Sequence, residues 1–199
     1  MPADRAAALR LCFFGDSFVC GYGDPDARGW VGRACAPHLA AGRDLTLYNL
    51  GIRGATIGDV ALSWENEAVA RLPLPGQGRV LFSFGANDAV QDVPPASSLD
   101  HAAAILKKAI PRAPVLVIGP APIADDPAAD ARAAALCPAL DSLCRTMAVP
   151  FLSIHSLLRQ SDAWMNEALA GDGAHPGRAG YAALAALIRG WSAWHRWLA

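Results

Sequence analysis

Short apolar runs alternate with longer amphipathic segments five times along this chain, and few folds accommodate that rhythm. The runs fall at 9–14, 45–49, 80–84, 115–118 and 149–153. The first, Leu11-Cys12-Phe13-Phe14, stops abruptly at Gly15-Asp16-Ser17. A continuous apolar run bounded by turn residues reads as a strand buried on both faces. The segments between the runs carry helical spacing, as in Leu99, Ala102, Ala103, Leu106 and Ile110. Strands that each return through a helix are parallel, with right-handed crossovers. The expectation is an α/β chain: a three-layer α/β/α sandwich around a five-stranded parallel sheet, with the flavodoxin-like order 2-1-3-4-5. At 199 residues, with no internal repeat or linker, residues 1–199 read as a single domain.

The helices are expected at about 30–40, from 54 or 56 towards 72, after Pro94-Pro95, after the cap pair Asp126-Pro127, and from Pro176 to Leu198. Pro138 lies inside the fourth pattern and should kink or split it. Residues 20–29 and 73–78 read as loops, and 154–169 as irregular or partly helical.

The unusual polar residues fall at the ends of the strands. Ser17 follows the first run; Asn49, Gly51 and Gly54 follow the second; Asn87 and Asp88 follow the third; Asp172 and His175 come after the fifth. In a parallel sheet these turns share one edge, where open α/β sheets place their sites. A serine hydroxyl needs a base to become a nucleophile. Histidine suits that task near neutral pH, and a carboxylate holds its tautomer. Asp172-x-x-His175 supplies both. Donors for a developing oxyanion are on hand in the N–H of Ser17, the N–H of Gly54 and the side-chain amide of Asn87. Each residue also has a plainer use: Ser17 and Asp172 as helix caps, and an Asp-x-x-His pair as two of the ligands a metal would need.

Gly15-Asp16-Ser17-Phe18, Gly54, Gly85-Ala86-Asn87-Asp88 and Asp172-Gly173-Ala174-His175 resemble, in order, the sequence blocks of the GDSL, or SGNH, hydrolases. That family comprises esterases, lipases, thioesterases and carbohydrate deacetylases on a flavodoxin-like fold. The resemblance implies Ser17 as nucleophile, His175 as base and Asp172 as its partner. It implies an oxyanion hole of Ser17 N–H, Gly54 N–H and the Asn87 amide, with Asp16 and Asp88 bracing their turns. Phe18 stands where the family motif has Leu. Gly51 competes with Gly54 for the oxyanion role, and the spacing from Asn49 favours Gly54.

Function is thus expected to be carboxylic-ester hydrolysis through an acyl-enzyme, with no organic cofactor or metal. The rival is a non-catalytic binding module on the same fold. The Gly-rich phosphate loops and the Gly-x-Ser-x-Gly elbow are absent. A net charge of -1 argues against nucleic acid as a partner, and no run approaches a membrane span. Five cysteines without Cys-x-x-Cys spacing suggest neither a disulfide framework nor zinc. With no leader visible, a cytoplasmic location follows. Trp191, Trp194 and Trp197 form a stripe that reads as core or as a contact in a homo-oligomer. His38, His101, His155 and His195 read as surface or cap residues, and Cys20 as packed.

Overall fold

The structure, a computed structural model, describes residues 8–72 and 75–199. Five parallel strands, β1 (Leu9–Gly15), β2 (Leu45–Gly51), β3 (Gly78–Ser83), β4 (Val115–Ile118) and β5 (Phe151–Leu152), form one sheet in the order β2-β1-β3-β4-β5. Among the described residues ten helices connect and extend them: α1 (Ser17–Cys20), α2 (Gly29–Ala40), α3 (Ile57–Arg71), α4 (Ala86–Val90), α5 (Pro95–Ala109), α6 (Pro127–Thr146), α7 (His155–Arg159), α8 (Asp162–Ala170), α9 (Arg178–Gly190) and α10 (Ser192–Leu198).

Alternation along the strands sorts the core into two halves. Leu11, Phe13, Leu81, Leu116 and Ile118 face a layer containing Trp30, Trp164, Tyr181, Trp194 and Trp197. Cys12, Phe14, Val80, Phe82 and Val117 face the other, with Ile57, Trp64, Ile105 and Leu140. Phe13 meets Trp30 edge-on at 5.7 Å, and Trp194 stacks on Trp197 at 5.2 Å. Each such side chain contributes about 1.5–3 kcal/mol through burial, so the two layers, not the short strands, hold the sheet.

Several local expectations are corrected. Helix α6 runs unbroken through Pro138. The carbonyl its ring deprives of a partner belongs to exposed Ala134, where water can serve it. The last helix is two, because Trp191 turns extended (φ -82°, ψ 120°). There His195 Nε2 donates to the Arg189 carbonyl at the end of α9. Trp194 and Trp197 are then packed in the core. Residues 154–169 form α7 and α8, and β5 shrinks to two residues. Ile110 is exposed; Ile105 and Ala109 complete the α5 stripe instead. Cys20 is exposed, while the other four cysteines are buried. His155 is buried. The loop expected at 73–78 lies partly outside the described residues.

Candidate active site

Register aligns Gly15 with both Gly51 and Ser83, so β1, β2 and β3 end level and their turns open onto one edge. The chain leaves β1 at Asp16, whose carboxylate caps α1 by accepting the Phe18 N–H at 2.9 Å. Asp16, not Ser17, is therefore the cap, and Ser17 sits at the first helical position with its hydroxyl unused by the helix. Burial, with the nearby Asp88 charge adding to it, pushes the Asp16 carboxyl up to about 7.

On the facing loop Asp172 organises a tight turn. Its Oδ1 accepts the N–H groups of Ala174 and His175 at 3.1 and 2.9 Å. Its Oδ2 accepts from His175 Nδ1 at 2.7 Å. Partial burial opposes its ionisation, but the hydrogen bonds from His175 and Ala174 outweigh that and hold it below the usual carboxylate range. With Nδ1–H committed to Asp172, Nε2 is left as an acceptor. It lies 2.7 Å from Ser17 Oγ across 158 residues of sequence. The imidazole is wedged between the Phe18 ring and the edge of Tyr22, each 4.9 Å away.

Two further turns close the site. Residues Ile52–Ala55 form a β-turn closed by Ala55 N–H to the Ile52 carbonyl at 3.1 Å, with Gly54 at φ +79°. That is the conformation of the third residue of a type II turn, which leaves the Gly54 N–H free of the turn's own bond. Gly51 is required for a different reason. A Cβ there would strike the backbone of Asp16 and Cys20, so it lets β2 pack against α1. Asn87 Nδ2 donates to the Ala55 carbonyl at 3.1 Å, fixing the amide beside the turn and leaving its second N–H. Gln91 Nε2 holds the Gly54 carbonyl at 2.9 Å. Asp88 accepts from the Ile57 N–H at 2.9 Å and the Ser98 hydroxyl at 2.7 Å, locking α3, α4 and α5 together. Among the described residues neither the Ser17 nor the Gly54 N–H has a backbone acceptor outside regular secondary structure.

Ser17, Gly54, Asn87, Asp172 and His175 thus border one edge, and the Ser17, His175 and Asp172 side chains are in hydrogen-bonded line. Sequence reasoning missed what holds the histidine loop. The Gly173 carbonyl accepts from Ala124 and Asp125 N–H at 2.9 and 3.2 Å. Tyr181 donates its hydroxyl to the Tyr22 carbonyl at 2.7 Å, and Arg178 grips Asp26 at 2.6 and 2.8 Å. Only the positively charged residue at the start of α9 hinted at the last contact. In the same loop as Asp26, Asp24 is joined to Arg33 of α2; burial opposes its ionisation, yet that bond and three backbone N–H groups lower its carboxyl to about 2. A depression of about 370 Å³ borders Tyr22, Glu167, Asp172 and His175. A larger groove of about 660 Å³, lined by Pro114, Met147 and Trp197 among others, shares no residue with the site. Among the described residues no three side chains converge as metal ligands, and no helix is long and apolar enough to cross a membrane.

A serine, a histidine and an aspartate thus stand in line at the carboxyl edge of a parallel α/β/α sheet. Residues 13–183 match the model of the GDSL-like Lipase/Acylhydrolase family, and the chain belongs to that family. No curated protein matches it in sequence. Its fold is shared with a lipolytic G-D-S-L family member from Veillonella parvula (TM-score 0.79, 21% identity, 94% of this chain and 99% of that one). It is similar also to an acetylxylan esterase from Geobacillus stearothermophilus (0.75, 20%, 92% and 94%). A lipase/acylhydrolase from Enterococcus faecalis is a third (0.72, 24%, 91% and 93%).

Proposed function

We propose that this protein is a serine ester hydrolase in which Ser17, His175 and Asp172 form the triad. The single observation that carries the reading is the unbroken line Asp172 Oδ2···Nδ1 His175 Nε2···Oγ Ser17, with both distances 2.7 Å. Ser17 Oγ attacks the ester carbonyl carbon and its proton passes to His175 Nε2. The carbonyl π-bond opens to an oxyanion, which accepts from Ser17 N–H, Gly54 N–H and the free N–H of Asn87. Collapse breaks the bond to the leaving oxygen, which takes the proton from His175, and the acyl group stays on Ser17. Water then gives its proton to His175 and attacks the acyl carbon. The second collapse releases the acid and returns the proton to Ser17. Asp172 stays ionised throughout and stabilises the imidazolium.

The substrate is a small-molecule carboxylic ester; simple esters, thioesters, lysophospholipids and acetylated sugars all fit this chemistry. Residues 1–199 serve as one catalytic domain. A reducing, cytoplasmic setting suits the five cysteines, all of them free thiols. The test is labelling by a fluorophosphonate together with turnover of 4-nitrophenyl acetate. Wild type is expected to be labelled on Ser17 and to turn over. Ser17→Ala should lose the label and at least about 10³-fold in kcat while keeping its fold. Retention of activity within tenfold would overturn the reading.

A further inference from the structure

We infer that Arg53 makes this site selective for esters whose alcohol portion carries an anionic group, a carboxylate or phosphate. The inference rests on the hydrolase reading above. Arg53 occupies the turn position immediately before Gly54 and is exposed. Its guanidinium lies over the Tyr22 ring, 3.5 Å from the centroid, and that ring meets the His175 imidazole edge-on. The stack therefore runs from cation to aromatic ring to the catalytic imidazole. Among the described residues Arg53 makes no ion pair.

The carboxylates nearby are otherwise engaged. Asp172 holds His175, Asp26 holds Arg178 and Arg33, and Glu167 accepts the N–H groups of Ala179 and Gly180. A guanidinium stacked on an aromatic face loses little freedom, and its fork still presents donors outward to a carboxylate or phosphate. The side of the substrate it meets follows from the mechanism. The leaving oxygen must come within reach of His175 Nε2 to take its proton; Tyr22 lies against that imidazole, and Arg53 lies over Tyr22. The alcohol portion, not the acyl chain, passes the cation.

The experiment uses two acetate esters that differ only in charge, those of 4-hydroxy-3-nitrobenzoate and 4-hydroxy-3-nitrobenzamide, with 4-nitrophenyl hemisuccinate and butyrate as an acyl-side pair. Wild type should favour the benzoate over the benzamide by about fivefold in kcat/KM, chiefly through KM, the size a solvated ion pair supports. It should show no such preference for the hemisuccinate. Arg53→Ala should bring the benzoate to parity and leave the benzamide within about twofold, and Arg53→Lys should keep part of the preference. Added salt at about 0.5 M, where the Debye length is about 4 Å, should erase it. Parity in wild type would overturn the inference. So would an equal loss on both acetates in Arg53→Ala, which would make Arg53 a prop for Tyr22, or a preference confined to the acyl side. If wild type hydrolyses none of the four esters, the hydrolase reading itself fails and this inference falls with it.

Discussion

Among the described residues two Asp–His pairs stand out, and they do different work. Asp172 holds His175 through Nδ1, so that Nε2 points at a serine. Asp130 meets His155 through Nε2 at 3.0 Å. Its carboxylate also takes Arg159 and the Ile123 N–H, and among the described residues no hydroxyl is hydrogen-bonded to the imidazole's other nitrogen. The second pair is a strut. It ties α6 and α7 to the segment after β4, whose Ala124 and Asp125 in turn hold the Gly173 carbonyl. An aspartate beside a histidine therefore says little by itself. What matters is which ring nitrogen the carboxylate takes and what the other one faces.

The comparison can be broken most directly by exchanging its predicted consequences. His175→Ala should cost about 10⁴-fold or more in kcat, as loss of a triad base does, with little change in melting temperature. His155→Ala should do the reverse. Turnover should stay within about tenfold, while loss of a buried, charge-assisted hydrogen bond should cost about 1–3 kcal/mol, or about 3–10 °C in melting temperature. Steady-state kinetics and thermal denaturation of the two variants side by side would show whether the roles are so divided. Equal kinetic losses would put His155 in the chemistry.

Next in size is Asp172→Asn, which should lower kcat by about 10³–10⁴ by favouring the wrong imidazole tautomer. A loss below tenfold would mean that Asp172 merely shapes the loop through its bonds to the Ala174 and His175 N–H groups.

The smallest effect concerns a carboxylate with no imidazole hydrogen-bonded to it. Burial pushes the Asp16 carboxyl up to about 7 in the fold, against 3.8 for a free aspartate side chain. Between those values the folded chain keeps a proton that the unfolded chain has released, so Asp16 weakens stability progressively as pH rises from about 4 to 7. Asp16→Asn has no such proton. Its melting temperature relative to wild type should therefore climb between pH 5 and pH 8, read by circular dichroism. A flat difference would mean that Asp16 is charged in the fold throughout.

The architecture was legible because apolar runs such as Leu11–Phe14 and Val115–Ile118 can only be double-sided strands, and because every one is followed by helical spacing. The site was legible for the same reason: a parallel sheet forces its turns onto one edge, so Ser17, Gly54, Asn87 and His175 could be grouped before any distance was known. What escaped were features decided by tertiary partners. His155 looked like a surface residue until Asp130, 25 positions earlier, folded against it. Pro138 looked like a breaker because nothing in the local pattern reveals that Ala134 faces water. The split at Trp191 depends on His195 reaching back to cap α9. Tyr22 lies in the 20–29 loop, and the bond that fixes it beside the imidazole comes from Tyr181, 159 residues away.

The span between Ser17 and His175 also sets a timetable. During synthesis the Ser17 hydroxyl leaves the ribosome 158 residues before the imidazole, with Phe18 and Asp16 as its chain neighbours. The imidazole that would sharpen it is made only after nearly the whole sheet has been laid down, and α9, which anchors Tyr22 through Tyr181, later still. A chain cut short anywhere before that point carries a serine with no imidazole beside it.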